Sequence, residues 1–157
     1  MNDRHIRDQL ENALTKAQAH QTFENAIAGF PPAHYNTRPP NTPYTFWHLL
    51  EHLRIAQADI LDYIENPGYR YLKFPDDYWP AREQTADELA WRTTIDRFQA
   101  DLASLVNIIR DPTRDLIAQI PHGQAGHTIL REALVVAAHN SYHIGEFGIL
   151  RGAMDLW

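Results

Sequence analysis

Histidines four residues apart on a helix project from one face, so both imidazoles can reach a single ion at roughly 2.0–2.1 Å. Two such pairs occur here, His48/His52 and His139/His143. Nine histidines scattered at random along a chain of this length would give only roughly 0.5 such pairs. One pair alone is most simply two unrelated side chains, one in solvent and one hydrogen-bonded in the core. The surroundings of the second pair argue for more. His139 lies at the end of the apolar run Ala133-Leu-Val-Val-Ala-Ala, where an unpartnered imidazole would have to find a buried hydrogen bond. Glu146 follows seven residues after His139 and three after His143, so the three polar groups form one stripe on a helix otherwise suited to burial. Such stripes are how metal centres are built between packed helices. His52, on another helix, would add a third nitrogen.

Three neutral imidazoles leave a divalent ion its full charge and an open coordination position, as in catalytic sites. Two reaction classes follow. In one, water activated at the ion hydrolyses a small amide or ester. In the other, a low-molecular-weight thiol held at the ion attacks an electrophile. The ion could instead brace the fold, or the pocket could bind a metabolite without turnover in a stress-response role.

Composition narrows the field. The chain has 157 residues, 14 basic and 20 acidic, for a net charge of −6. That length suggests one domain, residues 1–157, with a core large enough to need no staples. The absence of cysteine excludes disulfides, thiolate metal sites and a protein-borne sulfur nucleophile. An acidic balance with no Lys/Arg run argues against a nucleic-acid partner. No segment approaches 18 uninterrupted apolar residues, and the first residues lack the apolar core of a signal peptide, so no membrane partner is expected. The expectation is a soluble, cytoplasmic protein.

Four helical segments must position the histidines. From residue 3 to about residue 28, Ile6, Leu10, Leu14, Ala17, Phe23 and Ile27 recur at mostly three- and four-residue steps, predicting one amphipathic helix closed by Gly29. Five of the ten prolines lie between residues 31 and 43, which predicts an extended crossover loop. Thr45 is placed to cap a second helix, and Asn66-Pro67-Gly68 to stop it. Residues 69–80, rich in aromatics and proline, read as a loop packed onto the helices that could roof a pocket. The capping box Thr85-Ala-Asp-Glu88 opens a third helix that ends before Pro112, and Thr128 opens a fourth that ends near Gly152. Four such helices, each with one apolar face, are most economically buried as an all-α four-helix bundle.

The stretch Tyr44-Thr45-Phe-Trp-His-Leu-Leu-Glu-His52 and the stretch His139-Asn-Ser-Tyr-His143-Ile-Gly145-Glu146 resemble the two motifs of the DinB-like (damage-inducible, YfiT-like) superfamily of metal-binding four-helix bundles. These are an aromatic-Ser/Thr-x6-His and a His-x3-His-x-Gly-Gln/Glu. The resemblance covers essentially the whole chain, and Leu150-Arg151 and Trp157 also fit it. It implies that His52, His139 and His143 hold a divalent ion, zinc or nickel first and iron next. It also implies a homodimer, and its likeness to bacillithiol and mycothiol S-transferases puts thiol transfer to a small-molecule substrate ahead of hydrolysis.

Several roles stay open at this point. His48 is a fourth ligand, a proton shuttle or a helix-surface residue. Glu146 orients a ligand imidazole, acts as ligand or base, or forms a structural ion pair. Where many relatives carry an acid three positions after the second-helix ligand, this chain has Ile55, with Asp59 two turns along as a candidate base. His5, His20 and His34 read as solvated. His122 and His127 flank the glycine turn before the last helix and could reach the mouth of the site. Trp47, Trp79, Trp91 and Tyr142 read as core or loop-packing aromatics.

Overall fold

A computed structural model describes residues 3–157. Among them are five α-helices, α1 (Arg4–Thr15), α2 (Phe23–Ile27), α3 (Phe46–Glu65), α4 (Glu88–Arg110) and α5 (Ile129–Ala153), with a 3-10 turn at Pro32–His34 and no strand beyond an isolated bridge between Gln119 and Thr128. The architecture is all-α. No helix among the described residues is long and apolar enough to cross a membrane.

Local chemistry sets the helix starts. Thr22, Thr45, Asp87 and Thr128 sit in extended backbone, and their side-chain oxygens accept from Asn25, His48, Ala90 and Arg131 N–H respectively, satisfying donors that have no partner inside the helix. Thr45 and Thr128 are the expected caps. The expected capping box at Thr85 is not used. Asn36 grips both backbone groups of Ala86 at 2.8 Å, holding that buried residue outside the helix, so α4 is capped two residues later, by Asp87.

The single first helix expected over residues 3 to 28 is two. α1 ends at Thr15, and residues 16–22 cross α5 before α2 begins. No helix breaker marks this gap, and the cause is tertiary. Gln21 Nε2 donates to the Ile144 carbonyl at 3.2 Å, His20 Nε2 meets Ser141 Oγ at 2.9 Å, and His20 Nδ1 meets the Gln21 carbonyl at 2.7 Å. His20 is therefore a half-buried contact residue, not a solvated one.

α3 packs on α4 and α5, and α1 packs on α4 and α5. His52 lies opposite His139 and His143 while Tyr63 lies opposite His127, so α3 and α5 run antiparallel. An aromatic core of Phe23, Phe30, Phe46, Trp91, Phe98 and Phe147 fills one end, and an aliphatic core around Leu10, Ile64, Leu105, Ile109 and Val136 fills the other. Arg7, buried at 8% exposure, ties α1 to the end of α4 by donating to the carbonyls of Ile109 and Asp111 at 2.6 and 2.9 Å. Tyr142, expected to pack, stands 69% exposed. It occupies the outward face of α5, one residue round from His143.

Candidate metal centre

His52, His139 and His143 converge in space. Each offers one ring nitrogen, and the three nitrogens lie within 4.8 Å of one another. His52 Nε2 is 3.1 Å from His139 Nε2 and 3.2 Å from His143 Nε2. Three nitrogens bound to one tetrahedral ion at roughly 2.0–2.1 Å stand about 3.3 Å apart, close to both separations from His52.

The other ring nitrogens decide what this contact can be. His52 Nδ1 faces the Tyr78 carbonyl at 2.9 Å and His143 Nδ1 faces Glu146 Oε2 at 2.7 Å. Both partners are acceptors, so both Nδ1 atoms carry the hydrogen and both Nε2 atoms present lone pairs to each other. A neutral pair of lone pairs at 3.2 Å is repulsive, and a cation between them removes the repulsion. A proton is a poor candidate for that cation. Burial pushes the His52 imidazole below its ordinary range, and burial together with His143 and His52 pushes His139 down to about 4. The Nε2 lone pairs of His52 and His143, with His139 Nε2 beside the first, form a preorganised set that can hold a metal ion.

Surrounding groups fix the rings. The indole of Trp79 stacks on His52, with centroids 3.9 Å apart and planes 5° from parallel, and Tyr44 stacks on the far side of Trp79 at 5.0 Å. The Tyr44 hydroxyl donates to Glu146 Oε1, so Glu146 has one oxygen on a ligand histidine and one on the aromatic stack. Behind His139, the buried Gln57 donates to the Phe98 carbonyl at 2.7 Å and accepts from Asn140 at 2.9 Å, holding α3, α4 and α5 in register.

The histidines open onto a cavity of about 510 Å³ between α3, α5 and the loop of residues 69–79. Its walls are largely aromatic, with Tyr63, Tyr69, Tyr71, Phe74, Tyr78 and Trp79 among them. Asp59 also lines it, accepting from the Tyr69 and Tyr78 hydroxyls at 2.8 and 2.7 Å. Burial and the Asp59 charge hold both phenols above their ordinary range, so they stay protonated donors.

The remaining sequence candidates separate clearly. His48 is 2% exposed, which overturns the surface reading. Its Nε2 meets the Gln84 carbonyl at 2.8 Å, and it stands apart from the three-nitrogen cluster beside a different recess with Pro75 and Arg82. His127 does reach the cavity, whereas His122 turns to the Tyr63 carbonyl at 2.8 Å. The Tyr78 carbonyl, which is backbone, left no readable signal in the sequence, whereas Tyr69 and Trp79 were legible as part of the aromatic roof but not as partners of Asp59 and His52. Tyr44 did carry one, as the aromatic residue that opens the first motif.

Comparisons with curated proteins and with solved structures find no match. The model of the DinB superfamily matches residues 13–147, a span that contains the whole histidine cluster and both motifs, and the chain belongs to that superfamily.

Proposed function

We propose that His52, His139 and His143 hold a divalent ion, zinc or nickel first and iron next, in a single four-helix-bundle domain. On this reading the protein is a metal-dependent enzyme that joins a low-molecular-weight thiol to a small electrophile in detoxification. The observation that carries it is the meeting of three imidazole nitrogens on the wall of an apolar cavity. A divalent ion there would leave a coordination position open and lower the pKa of a thiol or a water that reaches it.

The chain's own groups supply the rest. Tyr78 and Glu146 hold His52 and His143 in the tautomer that ligates. The aromatic walls take the apolar body of a substrate and exclude water. Hydrolysis, the second reading, would use a water ionised at the same ion, with a side-chain base assisting. Both oxygens of Asp59 already accept phenol hydrogens, and both oxygens of Glu146 are likewise engaged. A thiol ionises more readily than water, and this is what favours transfer over hydrolysis at such an ion. A bracing or metabolite-binding ion, with no turnover, is the non-catalytic counterpart.

Metal analysis of purified protein tests the first step. The wild type is expected to hold one ion per chain and His139→Ala none, and equal stoichiometry in the two would overturn the ligand assignment. Conjugation of a thiol panel to chlorinated and epoxide acceptors tests the second. Metal-dependent product supports transfer, and hydrolysis of small esters or amides without any conjugation would replace it.

A further inference from the structure

The cavity has a second polar end that the metal chemistry does not use. Along α5, Arg131 and Glu132 precede His139 by eight and seven residues, about 12 and 10 Å of helix rise. Along α3, Tyr63 follows His52 by eleven residues, about 16 Å. The cavity therefore runs lengthwise between two antiparallel helices, with the histidines at one end and Tyr63, His127, Arg131 and Glu132 at the other.

That far end is built rather than incidental. Glu132 is 2% exposed, a carboxylate taken fully out of water, and such burial is costly unless the charge is paired. Arg131 Nη1 meets both of its oxygens at 2.8 Å, and His127 Nδ1 approaches at 3.3 Å. His127 is held in turn by the Tyr63 hydroxyl at 3.0 Å. Only one of the three guanidinium nitrogens is spent on this pair. Nε and Nη2 make no hydrogen bond to the described residues, and the side chain is about half exposed where it lines the cavity. A guanidinium locked on one edge and open on the other presents the two-pronged donor face that fits a carboxylate.

Among the described residues that line the cavity, Arg131 is the only lysine or arginine, so a carboxylate entering it meets no other cationic side chain.

We propose that Arg131, positioned by Glu132, anchors the carboxylate of an elongated substrate whose apolar middle lies on the aromatic walls and whose reacting group reaches the histidine end. The class is an ω-functional aryl or alkyl carboxylic acid. This inference rests on the metal-centre reading above for the reacting end only.

The experiment uses cobalt-loaded full-length protein and ω-mercaptoalkanoic acids of increasing length, each against its matched ω-mercaptoalcohol. The cobalt spectrum reports the sulfur, and calorimetry reports overall affinity. The expected result is an acid that binds at least about tenfold tighter than its alcohol at one chain length, worth about 1.4 kcal/mol, with that preference lost in Arg131→Gln and the alcohol unaffected. Because Arg131→Gln strands a buried carboxylate, the double variant Arg131→Gln/Glu132→Gln is measured beside it and should also lose the preference while keeping the alcohol. An acid that gains nothing over its alcohol at any length, or a gain that survives both variants, overturns the anchor. If no thiol perturbs the cobalt spectrum, the reading of the histidine end fails instead, and the acid–alcohol difference by calorimetry still decides Arg131.

Discussion

Glu146 shows how one side chain's chemistry depends on its two contacts. Its carboxylate takes the Nδ1 hydrogen of His143, which strengthens the opposite nitrogen as a ligand and fixes the ring. Glu146→Ala is therefore expected to weaken metal binding by about 10–100-fold, with Glu146→Gln retaining more because the amide oxygen still accepts. Competition against a chelator of known affinity reads both, and equal affinity in all three proteins would remove Glu146 from the site. The spacing of His139, His143 and Glu146 made this much legible, because helix periodicity places i, i+4 and i+7 on one face. It could not reveal His48, whose spacing to His52 is the same. Burial and a backbone carbonyl claim that ring, and neither is written in a four-residue interval. Protonation supplies a second prediction at this scale. His139 ordinarily titrates near 6.5 but is held down at about 4 by burial and its two neighbours, and burial lowers His52 and His48 in the same direction. Between those values the unfolded chain binds more protons than the folded one, so the metal-free protein keeps its full stability above about pH 6.5 and loses it progressively as pH falls toward 4. Urea midpoints of chelated protein across that range should fall with acidification, and less steeply in His139→Leu.

At the scale of elements, the starts of α3 and α5 were legible because capping is local. A threonine in extended backbone just before an apolar period needs nothing distant to act as it does. The break between α1 and α2 and the delayed start of α4 were not legible, because each is imposed by a partner more than 40 residues away: Ile144 and Ser141 for the first, Asn36 for the second. Gly148 records the first of these. A Cβ there would stand 1.9 Å from Gln21 Nε2, so the crossing chain can approach α5 only where a side chain is missing. Gly148→Ala gains helix propensity of about 1 kcal/mol but displaces the Gln21 amide and its hydrogen bond, worth about 1 kcal/mol net and more if the Ile144 carbonyl is left buried. The expected outcome is a neutral to destabilising change in wild type and a stabilisation of about 1 kcal/mol in a Gln21→Ala background. A double-mutant cycle by chemical denaturation measures it. Equal effects in the two backgrounds would mean that the crossing does not depend on the glycine.

Over the whole molecule, the loop of residues 69–79 and the metal centre are mechanically one unit. The Tyr69 and Tyr78 hydroxyls fasten the loop to Asp59, the Tyr78 carbonyl takes the His52 Nδ1 hydrogen, and Trp79 lies flat on the same ring. All four contacts fall on two α3 residues, His52 and Asp59, two turns apart, so whatever orders His52 also orders the roof of the cavity. The aromatic composition of this stretch made a packed roof legible, whereas its attachment to a ligand runs partly through backbone and became visible only in three dimensions. An ion present at 1,000 times its dissociation constant adds about 4 kcal/mol to the folded state, and part of that is expected to appear as protection of the loop. Chelation should therefore accelerate amide exchange in residues 69–79 well before it affects α4, whose packing on α3 and α1 does not involve the histidines. Asp59→Asn separates fastening from proton transfer. An amide offers a single acceptor oxygen and no charge, so one phenol loses its partner, and exchange in the loop should quicken several-fold with metal stoichiometry unchanged. If Asp59 instead serves as the base for the reaction, turnover disappears while loop exchange stays at the wild-type rate, a result that would restore hydrolysis as the leading chemistry.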